Sequence, residues 1–129
     1  MKYKVTTNET FEIVSGETTY DVLDRLNRAS NLGKMPQVTQ AGAASVTIDP
    51  YKMYDFGTLS TAMTISFDTT KEVEGFTKEY ALRFVAGSGC SVTLPNTVMY
   101  ANGVAPTYTT GRTYEINVIN GCAVVGEFY

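Results

Sequence analysis

The chain has 129 residues, an apolar fraction of 43% and a formal net charge of −3. This length suits one ordinary domain with a real hydrophobic core. The 10 Lys and Arg residues do not cluster, so a nucleic-acid interface, which needs a concentrated basic face, is not expected. No apolar run approaches the roughly 20 residues that cross a bilayer. No apolar stretch follows the basic residues Lys2 and Lys4 near the N-terminus, so neither a membrane span nor a secretory signal is predicted.

Residues 1–44 are predicted to form an N-terminal attachment or oligomerisation segment. Its expected elements are two short strands, a short helix and a linker, at residues 2–6, 10–14, 19–29 and 34–44. The helix is indicated by Val22, Leu26 and Ala29, which recur at helical spacing. Two packings of Leu23 and Leu26 stay open, against the sheet of the same subunit or against copies around a symmetry axis.

Residues 45–129 are predicted to form a β-rich head module. Apolar and polar residues alternate over residues 45–49, 63–67, 80–85, 91–94 and 114–118. This period of two is typical of strands with one face on a core. Asn120-Gly121, between two apolar runs, predicts a hairpin because both turn positions need positive φ. Turn signals about every 8 to 12 residues then predict a mainly β fold, an antiparallel β-sandwich or jelly-roll-like domain, with one short helix near the N-terminus.

The sequence offers little for catalysis or metal binding. His is absent, which removes the commonest general base and the commonest metal ligand. The two Cys residues have no CxxC spacing, so no zinc site is predicted. No dinucleotide-binding, phosphate-binding or nucleophile-elbow motif is present. We therefore expect a protein that is not an enzyme and that holds no metal or cofactor.

One enzymatic option remains, a pair of carboxylates such as glycosidases use. The candidates are Glu72 with Glu74 and Asp49 with Asp55. Nothing in the sequence raises the pKa of either pair, and Glu72 and Glu74 are expected to be solvated loop charges. No Asp-x-Asp-x-Asp spacing indicates a calcium site.

Cys90 and Cys122 are expected to be small, free hydrophobic residues in strands. A disulfide between them stays open as the alternative, which the missing export signal disfavours.

Tyrosine is the other functional candidate, because the chain has nine Tyr and no Trp. Tyr51, Tyr54, Tyr100 and Tyr108 are candidate ligand-binding or interface residues, since an exposed Tyr combines a flat apolar body with a polar tip. The favoured alternative for any single ring is that it closes the end of the core with its hydroxyl in water.

Four blocks of sequence occur in the order and with the turns of one known family, at residues 54–67, 78–87, 92–106 and 111–126. Over roughly residues 50–129 the chain resembles the small β-rich module at the C-terminal ends of many phage and prophage tail, baseplate and fibre-type proteins. That family often has Trp where this chain has Tyr100, and the resemblance implies an aromatic packing role for this ring.

The resemblance implies a structural protein of a phage or prophage particle, located in the virion after synthesis in the host cytoplasm. It implies a homo-oligomer, with a trimer favoured, other virion proteins as partners and a host-surface glycan as a further candidate partner. No nucleic acid or membrane is expected as a partner. A carbohydrate-binding module is the alternative function, and a glycan hydrolase ranks last.

Overall fold

The computed structural model describes residues 35–129 of the chain. They contain a short 3₁₀ helix, Thr69–Lys71, and nine strands: β1 (Gln37–Thr39), β2 (Ser45–Ile48), β3 (Met53–Leu59), β4 (Ala62–Phe67), β5 (Glu79–Ala86), β6 (Ser91–Thr93), β7 (Met99–Tyr100), β8 (Thr113–Ile119) and β9 (Cys122–Phe128). The described part is thus mainly β, as predicted. The helix expected at residues 19–29 and the strands expected at 2–6 and 10–14 lie outside the described residues.

The alternating stretches predicted from the sequence do form strands. In β8, Tyr114, Ile116 and Val118 are buried, whereas Glu115 and Asn117 between them are half-exposed. Burying a side chain such as Ile116 stabilises the fold by roughly 1.5–3 kcal/mol relative to leaving it in water. The alternation therefore decides which face of each strand turns to the core.

The strands form two sheets. One has six strands in the order β1-β3-β5-β8-β9-β7, and the other has three in the order β2-β4-β6. β1, β3 and β5 pair in parallel, and so do β2, β4 and β6. Parallel neighbours need a crossover connection, and here a strand of the other sheet supplies it. Up to β6 the chain alternates between the two sheets, as the coils of a β-solenoid do.

The expectation of antiparallel sheets, and with it a jelly-roll order of strands, is wrong. Within residues 35–129, five of the seven strand pairs are parallel, and only β5–β8 and β8–β9 are antiparallel. The physical reason is that a period of two marks a strand with one buried face but does not identify its partner. Here the two sheets bury their inner faces in a common core, which leaves the parallel strands one solvated face each.

The hairpin predicted at Asn120-Gly121 is confirmed. β8 and β9 pair through Ile119 and Cys122, which leaves Asn120 and Gly121 as a two-residue turn. Their φ angles are 48° and 82°, the left-handed values that a turn of type I′ requires.

The predicted linker at residues 34–44 contains a strand, so that prediction is wrong for three of its residues. β1 lies within this stretch and pairs with Met53–Asp55 of β3. Pro36 precedes β1, and its carbonyl accepts a hydrogen bond from Met53 N at 2.9 Å. The polar and small residues that indicate a linker are equally suited to a short edge strand, in which little is buried. The attachment role of residues 1–44 stays a prediction.

One hydrophobic core holds residues of both sheets. Its most buried members come from β2, β4, β5 and β8: Ile48, Met63, Ile65, Leu82, Phe84, Tyr114, Ile116 and Val118.

The two turns of the chain between the sheets differ in length, and the longer turn carries the candidate site. Gln37 pairs with Met53, one turn of the chain later, but Met53 pairs with the more distant Ala81. The extra residues of the second turn form the connection between β4 and β5, residues 68–78, which we call the long loop.

Candidate functional site

Two of the four candidate tyrosines pack into the core region. Tyr54 is 5% exposed, and its hydroxyl accepts a hydrogen bond from Asp49 N at 3.0 Å. Tyr108 is half-buried and meets Phe84 and Tyr114 edge-on, with ring centroids 5.1 and 4.9 Å apart. Burial raises the pKa of Tyr108 well above its usual value.

The other two candidate tyrosines are half-buried. Tyr100 lies in β7 against the core, and burial raises its pKa. Tyr51 has a φ of 63°, and its hydroxyl accepts a hydrogen bond from Val73 N at 3.2 Å. None of the four rings stacks on another of the four. A ligand role for them stays a prediction, and the structure does not gather them into one aromatic surface.

Several connections meet at one end of the sheets, which we call the loop end. The connection from β2 to β3 meets the long loop, since Tyr51 receives the Val73 hydrogen bond. The long loop meets the β8–β9 turn, because Lys78 N donates to Asn120 Oδ1 at 3.0 Å and Asn120 N donates to the Lys78 carbonyl at 2.8 Å. These contacts hold together three chain segments that are far apart in the sequence.

Ion pairs attach the first part of the long loop to the β2–β3 connection. Lys71 Nζ lies 2.8 Å from Asp49 Oδ1 and 3.4 Å from Asp68 Oδ2, and Lys52 Nζ lies 3.0 Å from Asp49 Oδ2. The Lys71 ammonium, with Lys52, holds the pKa of the Asp49 carboxyl below its usual value. The hydroxyl of Thr70, with its backbone N–H and with Lys71, does the same for Asp68.

A second group of polar contacts centres on Glu72. Tyr80 Oη donates to Glu72 Oε1 at 2.8 Å, and Lys78 Nζ lies 3.0 Å from Glu72 Oε2. Lys78 and then Tyr80 lower the pKa of Glu72, so this carboxylate is ionised at neutral pH. Burial, followed by the bond to Glu72, raises the pKa of Tyr80.

A cleft of about 410 Å³ lies between these elements. Tyr80 and Val118, both buried, and the half-buried Phe67 form its floor. Phe67 stacks on Tyr80 with ring centroids 3.9 Å apart and an angle of 8° between the planes. The walls are the long loop, the segment before β7 and the β8–β9 turn, through Thr69, Glu72, Lys78, Thr97, Val98, Asn120 and Gly121.

The carboxylates considered for catalysis have other roles in the structure. Glu72 and Asp49 belong to the two ion-pair groups, and a glycosidase-type general acid needs a raised pKa rather than the lowered one found for both. Asp55 Oδ1 accepts a hydrogen bond from Gly57 N at 2.9 Å, beside a register shift in β3. Glu74 is exposed in the long loop.

Both cysteines are free in the structure. Cys90 is half-buried against the core, and burial raises the pKa of its thiol. Cys90 lies just before β6 rather than in a strand, and Cys122 is exposed at the start of β9, so the expectation of two small hydrophobic residues in strands is wrong in these respects. Within residues 35–129, no three His, Cys, Asp or Glu side chains lie close enough together to hold a metal ion, and no helix is long and apolar enough to cross a bilayer.

An exposed apolar surface lies on the outer face of the six-stranded sheet. Met99, Cys122 and Ile119 form one row across β7, β9 and β8, because Cys122 is the partner of both other residues. Val124 follows two residues along β9 and therefore points to the same face. Met99 and Val124 are each 62% exposed and Ile119 is 40% exposed. We call these four residues the outer patch.

Sequence reasoning missed both the cleft and the outer patch. The cleft residues Lys78 and Asn120 belong to separate turns, and nothing local links them. The patch had a usable signal, since Cys122-Ala123-Val124-Val125 is apolar at consecutive positions, whereas a strand with one wet face alternates. Ala123 is buried, Val125 packs against the core, and Cys122 and Val124 are left outside.

No family model, curated protein or solved structure matches this chain.

Proposed function

We propose that this chain is a non-enzymatic structural protein of a bacteriophage or prophage particle, a tail, baseplate or head-fibre component. The resemblance of residues 50–129 to fibre-type modules supports the phage assignment. The outer patch is the observation that carries the structural role. Contiguous exposed apolar residues on a sheet face mark interaction sites, because exposing them to water is unfavourable.

In this proposal the partner on the outer patch is another copy of the chain, and the assembly is a homotrimer. The resemblance supports this choice, since the modules of that family are commonly trimeric. The flanking charges favour it as well, because Arg83 and Glu115 on the same face pair with each other at 3.2 Å. An apolar surface bordered by neutralised charges suits a like surface better than a charged partner.

Residues 45–129 form the displayed head in this proposal, and the two sheets with their common core act as a two-layered β-sandwich. Residues 1–44 attach the head to the particle or help to oligomerise it. Repeated copies on a virion raise the avidity of weak contacts, so the head is suited to host-surface attachment without tight binding by one copy.

The alternative functions are a carbohydrate-binding module and, last, a glycan hydrolase. The lowered pKa values of Glu72 and Asp49 support a non-enzymatic protein over a hydrolase, because both carboxylates stay ionised as acceptors of nearby donors. The loop-end cleft is the observation that favours carbohydrate binding, and in a fibre protein it is compatible with the structural role.

The assembly is tested by light scattering on the full chain at micromolar concentration. We expect the mass of a trimer, and we expect Val124→Asp to shift it toward the monomer, since a charge in an apolar interface is costly to bury. Val73→Asp is the matched control, because Val73 is also exposed but lies on the long loop. A monomeric wild-type chain, or a trimer that Val124→Asp leaves intact, would contradict the proposal.

A further inference from the structure

The loop-end cleft has the construction of a preformed binding site. Its floor is made by the ends of β4, β5 and β8, and three connections make its walls. Each wall is tied to another one: Lys78 to Asn120 through two hydrogen bonds, and Gly121 to Met99, the residue after Val98, through the bond from Met99 N to the Gly121 carbonyl at 2.8 Å. A ligand that enters such a site does not have to order the loops first, which reduces the entropic cost of binding.

The charges in the cleft cancel, and this restricts the class of ligand. Glu72 and Lys78 are the two charged residues of the lining, and they form an ion pair at 3.0 Å. Asp49, Asp68, Lys52 and Lys71 nearby likewise combine two negative with two positive charges. A free anion would meet the Glu72 carboxylate and a free cation would meet Lys78. The cleft therefore favours a neutral ligand.

The polar groups of the lining favour a ligand with many hydroxyl groups. An ionised carboxylate has about four acceptor positions and an ammonium has three donors, so Glu72 and Lys78 retain capacity after binding each other. Thr69 and Thr97 add hydroxyls, which both donate and accept. Asn120 accepts from Lys78 N through Oδ1, and among residues 35–129 its amide NH₂ donates to no acceptor. Mixed donors and acceptors of this kind match hydroxyls, which also do both.

The floor supplies the complementary apolar surface. Phe67 is half-buried on its stack with Tyr80, and Val98 lies on the adjoining wall. An aromatic ring packs well on the apolar C–H face of a pyranose, while the hydroxyls around that ring need the polar rim. The cleft volume of about 410 Å³ is at the small end of ligand sites, which span about 300–1,000 Å³.

From these features we propose that the loop-end cleft binds a neutral pyranose unit of a glycan. The inference rests on the proposed attachment role only for the source of that glycan, the host surface. The four tyrosines considered from the sequence do not line the cleft. Its aromatic contact is Phe67 instead, which is half-buried and stacks on the buried Tyr80.

The test is NMR titration of the full chain with the methyl pyranosides of glucose, galactose, mannose and N-acetylglucosamine. We expect at least one of them to bind with a dissociation constant of about 0.1–10 mM, as a ligand of this size allows. The backbone amides of Lys78, Asn120 and Gly121 should shift most. Thr97→Trp, which puts a large side chain into the cleft, should weaken binding by about tenfold or more.

Thr93→Trp is the matched control, since Thr93 is an exposed threonine of β6 outside the cleft, and it should bind like the wild type. The proposal is overturned if none of the four sugars binds, if the shifts lie elsewhere, or if Thr97→Trp binds normally. It is equally overturned if only inorganic phosphate or glucuronic acid binds. If the chain is a trimer that binds no sugar, only this inference is contradicted. If the chain is a monomer that binds sugar, only the assembly proposal is contradicted.

Discussion

At the scale of single residues, two buried tyrosines repeat the same contact. Tyr54 Oη accepts from Asp49 N at 3.0 Å, and Tyr114 Oη accepts from Thr109 N at 2.7 Å. In both pairs the donor lies five residues before the tyrosine, in the connection that leads into its strand. The hydroxyls therefore fix the approach of a connection to the sheet, whereas for Tyr54 the favoured expectation from the sequence is a hydroxyl that reaches water.

Tyr54→Phe should cost about 1 kcal/mol in the free energy of unfolding, because the Asp49 N–H loses its acceptor in a partly buried place. Urea denaturation measures the change. Tyr100→Phe is the control, since the Tyr100 hydroxyl bonds to no group within residues 35–129, and it should stay within about 0.5 kcal/mol of the wild type. Equal losses in the two variants would show that the hydrogen bond is not what stabilises Tyr54.

For the carboxylates, the residue types predict the absence of a catalytic role but not the partners of each side chain. The lack of any sequence cue for a raised pKa argues against a catalytic role for Glu72 and Asp49, and Glu72 is predicted to be a solvated loop charge. The structure places both in ion pairs that lower their pKa values. Their partners were beyond prediction, because Lys71 is 22 residues from Asp49 and meets it only through the winding of the chain.

At the scale of elements, the β8–β9 hairpin rests on a local signal. Gly121 has a φ of 82°, and a Cβ atom placed on it would meet nothing within 4 Å. A side chain at this position would therefore destabilise the turn through its backbone conformation and not through steric contacts.

Gly121→Ala should lower the free energy of unfolding by about 1–2 kcal/mol, the cost of holding an L-residue in the left-handed region. Gly121→Asn should lose clearly less, since Asn tolerates that region. Urea denaturation of the two variants decides between them. If Ala is tolerated as well as Gly, or if Asn costs as much as Ala, the turn does not depend on this backbone conformation.

Features that depend on neighbouring residues could be predicted from the sequence, whereas features that depend on residues far apart in the sequence could not. Strands β2, β4, β5, β6 and β8 and the hairpin come from neighbouring residues, and their prediction is confirmed. The parallel pairing of β3 with β5 joins Met53 to Ala81, across a strand of the other sheet and the long loop. No local pattern encodes such a partner, so the antiparallel prediction failed there.

The cleft was unpredictable for the same reason. Its walls include Lys78 and Asn120, which approach each other only because β5 and β8 are antiparallel neighbours, with Glu79 opposite Ile119. The sequence indicates that loops surround a β scaffold, but it does not indicate which loops share an end.

At the scale of the whole molecule, stability should depend on pH in two separate ranges. Asp49, Asp68 and Glu72 have lowered pKa values in the folded state, so their contribution is present above their unfolded pKa values and is lost as the pH falls through the folded ones. Tyr80 has a raised pKa, so its contribution is present below its unfolded pKa and is lost at higher pH.

Because the chain contains no His, the free energy of unfolding should be nearly constant between about pH 5.5 and 8. It should decrease below about pH 4 and again above about pH 10. Urea titrations across this range measure it, and Glu72→Gln should flatten part of the acidic decrease. A steep change near pH 6.5 would contradict this assignment of the titrating groups.

A chain that winds in parallel between two sheets can be extended by further turns. The last strand of such a series has unpaired backbone N–H and C=O groups, and a further parallel strand can bind them. Here β8 takes the free edge of β5 in the opposite direction, and β9 and the two-residue β7 follow it. The reversal ends the parallel series on this side of the six-stranded sheet. The edge of β5 that a further parallel strand would need is therefore occupied, and no strand of a second molecule can pair there.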